Sequence, residues 1–305
     1  RVIRRPPRTS PRLSSAASDV YKRQINIDAS EIPFVLGHVT GSISGGSRLT
    51  ISDQNILVNP AVTISVSDAN LLNAATEGTV TASIATDTRV DSLTTLTGTN
   101  NDNAYTIVIA AADATGSTAS ELNTIDAATS VQVDANEITV IEGSYADITN
   151  LYTSTGVTGL GNEAITLTEP LTVAQANTLD GLTTGIVTAT IGSTRVSDLL
   201  GSTPLLDANG NNAYTISISA DDATGLTATQ LNAVNGLTSL PVDASLVTAL
   251  SHDTITNINT LLSAGTDSAQ FTNTSFASLS SVTVFDEEGY LAANPDVAGV
   301  LGTGT

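Results

Sequence analysis

Short runs in which Val, Ile, Leu or Tyr alternate with Thr, Ser or Ala recur along the chain. They lie at Val62–Val66, Val80–Ile84, Tyr105–Ile109, Ile165–Thr168, Ile186–Ile191 and Tyr214–Ile218. A period of two in β-branched residues predicts strands with one buried and one wetter face. Between these runs the spacing turns helical. In LTATQLNAVNGLT, three of Leu226, Leu231, Val234 and Leu237 fall on one face, Thr227 suits the N-cap and Gly236 the terminator. LTVAQANTLDGLT repeats the design with Thr172 and Gly181, and SYADITNLYTS and HDTITNINTLLSA read as a second helix type. Strands alternating with short helices predict right-handed crossovers and a parallel sheet.

The pattern is a tandem repeat. Tyr105 recurs as Tyr214, Asp113-Ala114-Thr115-Gly116 as Asp222-Ala223-Thr224-Gly225, and Val133-Asp134-Ala135 as Val242-Asp243-Ala244, each 109 residues on. Asp28-Ala29-Ser30-Glu31-Ile32 resembles Asp134-Ala135-Asn136-Glu137-Ile138, so the chain enters the array in mid-repeat. The long repeat divides again. Asn73, Asn123, Asn177 and Asn232 share a context at spacings of 50, 54 and 55 residues, so one strand-plus-helix step takes roughly 22–30 residues. Such a step cannot bury its apolar face alone and must stack on its neighbours.

The expected fold is therefore α/β, an elongated solenoid of short parallel strands alternating with short helices. The alternative is a string of immunoglobulin-like sandwiches, which the length of the long repeat and the strand-like NNAYTISISADDATG would suit. Four amphipathic helices per long repeat weigh against it. The expected organisation is 1–24 disordered and apart from the rest, 25–61 a partial entering repeat, 62–164 and 165–264 two long repeats, and 265–305 a C-terminal cap or linker. In that cap, Asp286 and Asn294-Pro295 suit two short helix starts.

Charge sharpens the first boundary. Of 305 residues, 10 are Lys or Arg and 30 are Asp or Glu, a net charge of -20. Seven of the ten cations lie in residues 1–24, which are rich in Pro, Arg and Ser and lack periodicity. The body keeps Arg48, Arg89 and Arg195 against 29 acidic residues, a net charge of about −26 with no Lys. The head could be a nucleic-acid or membrane arm or a targeting peptide. Its SSAASDVYKRQ also resembles translated sequencing-adapter sequence, in which case the head is foreign to the protein. A polyanionic body repels phosphate backbones, which argues against nucleic acid as a partner. No Cys is present, so disulfides, thiolate metal sites and Cys nucleophiles are absent. No apolar run reaches the 18 or so residues of a membrane span, and no signal-peptide pattern opens the chain.

Few residues offer chemistry. His38 and His252 occupy unlike contexts and lack the partners of a zinc site. Ser251-His252-Asp253 has the composition of a triad, but adjacent residues cannot converge, and Ser251 or Asp253 is expected as a helix cap. Glu137, Glu142, Glu163 and Glu169 are the one Glu cluster, and a polysaccharide hydrolase would need two of them in one cleft. Same-face pairs such as Thr81/Ser83, Thr166/Thr168 and Thr188/Thr190 could order water on a flat face, or simply be solvated strand residues. The turns Asn100–Asn103 and Asp207–Asn212 gather oxygen ligands at a repeated position. Asp102, Asp207, Asn209 and Asn211, with Asp113 and Asp222 in matching turns, are candidate calcium ligands. They lack the spacing of an EF-hand loop or a glycine-rich nonapeptide repeat, and Asn, Asp and Gly also dominate ordinary turns. No cofactor other than calcium is indicated.

The units LTVAQANTLDGLTTGIVTATI, TVIEGSYADITNLYTSTGVTGLGNEAITLT and TATQLNAVNGLTSLPVDA resemble the repeats of very large bacterial surface proteins, notably from cyanobacteria and other aquatic bacteria. The likeness covers most of residues 25–265. Residues 38–58 depart from it, being Gly/Ser-rich where a helix would stand. Phe285–Ala298 resembles the FD–YL–NPDV segment of large secreted bacterial proteins, often found near calcium-binding repeats. The resemblance implies secretion by a type I-like route, an extracellular or cell-surface location and a structural or adhesive role without catalysis. A calcium-dependent binding module is the alternative. Implied partners are flanking repeats of the same parent chain and matrix, polysaccharide or other cells.

Overall fold

Ser65, Thr118, Ser144, Thr172 and Thr227 each stand where an extended segment ends and a helix begins. Each hydroxyl accepts the N–H three residues on, donated by Asp68, Glu121, Asp147, Gln175 and Gln230. Such a cap satisfies one orphan donor of the first turn and is worth about 1 kcal/mol. At Thr118, Thr172 and Thr227 the residue three on returns its side chain to the cap's own N–H, closing a capping box. The computed structural model describes residues 24–35, 51, 54–98, 103–192, 195–207, 210–265, 270–272 and 281–284. Among these the chain divides into two compact units. One takes residues up to Ala85 with Leu96–Thr106 and Ala128–Val131; the other takes Thr86–Thr95, Ile107–Ala127 and the residues from Gln132 onward. This division does not follow the repeat boundaries at 62 and 165.

In the first unit, β1 (Gln24–Ile27), β2 (Asn55–Val58), β3 (Thr63–Ile64), β4 (Val80–Ile84) and β5 (Ala104–Thr106) form one sheet in the order β1-β2-β4-β3, with β5 on β4. β2 pairs with the first half of β4 and β3 with its second half, so the two short strands share one edge of β4. Helix α1 (Val66–Ala75) begins where a strand to Val66 was expected. Ser65 takes the N-cap and confines the strand to Thr63–Ile64. The helix buries Val66, Ala69 and Leu72, and the core gathers Ile56, Val58, Val80, Ile84 and Tyr105.

In the second unit, β6 (Ser117–Thr118), β8 (Val140–Gly143), β10 (Ala164–Leu167), β11 (Val187–Thr190) and β12 (Ala213–Thr215) follow one another in sheet order. Three two-stranded ladders accompany them: β7 (Val133–Asp134) with β9 (Val157–Thr158), β13 (Val242–Asp243) with β15 (Phe271–Thr272), and β14 (Ala249–Asp253) with β16 (Ser281–Val284). The helices are α2 (Val90–Leu93), α3 (Ala119–Ala127), α4 (Tyr145–Thr153), α5 (Val173–Asp180), α6 (Val196–Leu199), α7 (Ala228–Asn235) and α8 (Ile255–Gly265). Thr172, Gly181, Thr227 and Gly236 bound α5 and α7 as the sequence predicts. Leu231 and Val234 are fully buried, each worth roughly 1.5–3 kcal/mol.

The pairings between the described strands are parallel. The fold is α/β, with parallel strands alternating with helices. This overturns the immunoglobulin-like alternative, whose sheets are antiparallel. The helix start expected at Ser251 or Asp253 is also corrected. Ala249 and Leu250 pair with Ser281 and Val282, and Asp253 with Val284, which keeps residues 249–253 extended. Thr254 then caps α8 by accepting the Asn257 N–H at 3.3 Å.

Candidate functional site

The polar residues that recur in the sequence meet their partners one strand-plus-helix step away. Asn123 Nδ2 donates to Asp147 O, Asn177 Nδ2 to Pro204 O and Asn232 Nδ2 to Asn257 O. Asn73 Nδ2 donates to Thr97 Oγ1. The four Asn residues are thus brackets between successive steps. Hydroxyls do the same work. Thr129 Oγ1 donates to Tyr105 O, Thr183 Oγ1 to Glu163 O and Thr238 Oγ1 to Tyr214 O, while each accepts the N–H two residues on.

Carboxylates reach back to the helix before them. Asp113 Oδ2 accepts the Val90 N–H at 2.9 Å, Glu169 Oε1 that of Tyr145 at 2.8 Å, Asp222 Oδ2 that of Val196 at 2.7 Å and Asp253 Oδ2 that of Thr229 at 2.6 Å. Each acceptor lies 23–26 residues after its donor and sits at the positive end of a helix, where an anion is favoured. Burial pushes the Asp253 carboxyl up, but hydrogen bonds from Asn257, Thr229 and Thr254 outweigh it and hold it at about 2. A cation pairs with one of these capping carboxylates and with the neighbour of another. Arg89 Nε pairs with Asp113 Oδ1 at 2.8 Å and Arg195 with Asp221 at 2.7 Å.

Of the candidate calcium ligands, Asp102 and Asn209 lie outside the described residues, as do His38, residues 1–23 and the Phe285–Ala298 segment. Asp113 is buried with both oxygens engaged, and Asp222 caps α6. Asp207 Oδ1 accepts the Asn211 and Asn212 N–H groups across a turn closed by Gly210, whose φ of 68° lies in the left-handed region that favours glycine. Asn211 Oδ1 is sealed from solvent and without a hydrogen-bond partner. No group of three or more His, Asp or Glu placed to hold a metal occurs among the described residues.

The sequence pointed at these turns but not at the residues that matter in them. Asn103 and Asn212 are buried. Their Oδ1 atoms accept the N–H groups of Val80 and Val187, and their Nδ2 groups donate to Asn73 and Asp180. Tyr105 and Tyr214, two residues on, are fully buried, and burial pushes both phenols well above their ordinary range. The repetition of Asn-Ala-Tyr was the available signal.

The Glu cluster does not assemble. Glu137, Glu142 and Glu169 are exposed, whereas Glu163 is fully buried. Glu163 Oε2 accepts the Tyr152 O–H at 2.7 Å and the Gly161 N–H at 2.8 Å, and Oε1 has no partner. Burial, then Glu163, pushes the Tyr152 phenol up. One cleft of about 350 Å³ lies beside β1 and β2, and another of about 320 Å³ lies between the start of α5 and the turn after α6. Neither takes in any of the four Glu residues. The Thr rows are broken: Thr166 lies between Glu142 and Thr188, and Thr188 pairs onward with Ala213. No helix among the described residues is long and apolar enough to cross a membrane. No protein-family model, curated protein or solved structure matches the chain.

Proposed function

We propose that the body of this chain is a segment of a βα solenoid from a secreted cell-surface protein, serving as a structural or adhesive spacer without catalysis. One observation carries the reading. Repeated Asn, Thr and carboxylate side chains are spent on the neighbouring step, about 24 residues away, rather than converging on a common point. A coil that bonds only to its neighbours is the unit of a linear array. The resemblance of the repeats to large bacterial surface proteins supports the extracellular setting, and an acidic surface poor in Lys suits solubility there. Flanking repeats of the parent chain are the primary partners, with polysaccharide or neighbouring cells beyond them.

The test is extension. Duplicating residues 80–186 adds about four coils, and neighbouring strands stand about 4.8 Å apart, so the longest dimension should grow by about 20 Å at constant cross-section. Small-angle scattering of the parent and duplicated chains measures both. A cross-section that thickens with the insertion would overturn the reading. Immunodetection of the parent protein in medium, envelope and cytoplasmic fractions tests the location, and confinement to the cytoplasm would refute it.

A further inference from the structure

Asp28, Asp134 and Asp243 open related motifs, and at two of them the strand before the turn is paired on both sides. Asp134 N–H donates to Ile107 O at 3.0 Å and Asp134 O accepts from Ile109 N–H at 2.8 Å, while β7 pairs with β9 on the other side. Asp243 N–H donates to Ile216 O at 2.9 Å, Asp243 O accepts from Ile218 N–H at 2.8 Å, and β13 pairs with β15. Just upstream, Ser130 and Ser239 donate their N–H groups to Asn103 O and Asn212 O. Gln24 holds the place of Ser239, and Ile27-Asp28 that of Val242-Asp243. Yet β1 has only β2 beside it among the described strands. The Asp28 N–H is instead held by the Glu31 carboxylate at 2.9 Å, where the other two motifs use a strand carbonyl. The cleft of about 350 Å³, lined by Gln24, Asn26, Ile27, Glu31 and Leu57, opens alongside.

We infer that the outer edge of β1 is a docking site for one further coil of this chain's own type. Its incoming strand carries Asn-Ala-Tyr-Thr-Ile-x-Ile, as Asn103–Ile109 and Asn212–Ile218 do. The inference rests on the coil reading above and names the partner by register. The Asn carbonyl of the incoming strand takes the Gln24 N–H, and the carbonyl of its first Ile takes the Asp28 N–H, displacing Glu31. The interface continues one already built twice, and each bond has a counterpart, at Asn103/Ser130 and Ile107/Asp134 and again at Asn212/Ser239 and Ile216/Asp243.

The test replaces residues 1–23 with a copy of residues 186–238, so that the copied Thr238 leads into Gln24. Residue-resolved amide exchange is compared with the unaltered chain. The Gln24 amide should exchange at least tenfold more slowly, and Glu31→Ala, expected to lower the melting temperature of the unaltered chain, should lose most of that effect in the extended one. A shorter graft of residues 210–238 gives the same readout should the longer one misfold. Unchanged Gln24 exchange in both grafts, with Ser130, Asp134, Ser239 and Asp243 protected, overturns the docking site alone. Loop-like exchange at those four amides overturns the coil reading and the inference with it.

Discussion

The two long repeats solve one local problem in two ways. In the first, Asp113 does everything: Oδ2 caps Val90, Oδ1 pairs with Arg89, and its side chain is 8% exposed. In the second, the work is divided between adjacent residues. Asp222 caps Val196, while Asp221, 61% exposed, pairs with Arg195. The arginines are equally exposed, at 57% each, so the difference lies with the acid. Merging cap and ion pair in one buried carboxylate couples them, because losing either leaves a desolvated charge behind. Dividing them leaves the ion pair as an ordinary surface contact that solvent and salt screen.

The comparison orders the expected losses. Asp113→Ala should cost about 2 kcal/mol in urea unfolding, since it removes a charge-assisted cap from a buried N–H together with the partner of Arg89. Equal losses for Asp113→Ala and Asp221→Ala would break the comparison. Asp222→Ala, which removes a cap alone, should cost about 1 kcal/mol by the same measurement.

Acid titration probes a third cap. The Asp253 carboxyl is held at about 2 in the folded chain, below the roughly 3.9 of an unfolded Asp. Its contribution is therefore complete above about pH 4 and lost as the pH falls toward 2. Asp253→Asn should flatten the stability curve between those values, and a curve as steep as the parent's would show that other groups dominate there. Asp221→Ala should cost less than about 0.5 kcal/mol, and 1 M NaCl should abolish even that. Smallest of all, exchanging EDTA for millimolar calcium should leave the melting temperature unchanged, because Asp113 and Asp222 already spend oxygens on helix caps; a clear rise would show a cation bound elsewhere in the chain.

How much was legible follows from distance along the chain. Thr172, Thr227, Gly181 and Gly236 act within their own helix, so spacing alone identified them. The recurring Asn residues were visible as a series, but their role was not, because Asn123 and Asp147 meet only after a full step has folded. The same separation hid the carboxylates. Asp113 and Asp222 stood out as matching acids in matching turns, which fits cation binding and fits capping of a helix 23 or 26 residues upstream. Asn103 lay in a run of turn-forming residues, and nothing local marks it as buried. At Ser251-His252-Asp253 the local signals favoured a helix start, but pairing with a strand some thirty residues on held the segment extended.

The back-reaching carboxylates also give the chain a direction of completion. Val90, Tyr145, Val196 and Thr229 each receive their anion from residues synthesised later. A nascent chain growing from its amino end leaves each of these four N–H groups without its anion until the following step arrives. A chain threaded through a pore carboxyl end first meets the opposite situation, with each anion already in place when its helix emerges. Order of emergence, rather than final stability, is where these caps would distinguish the two routes.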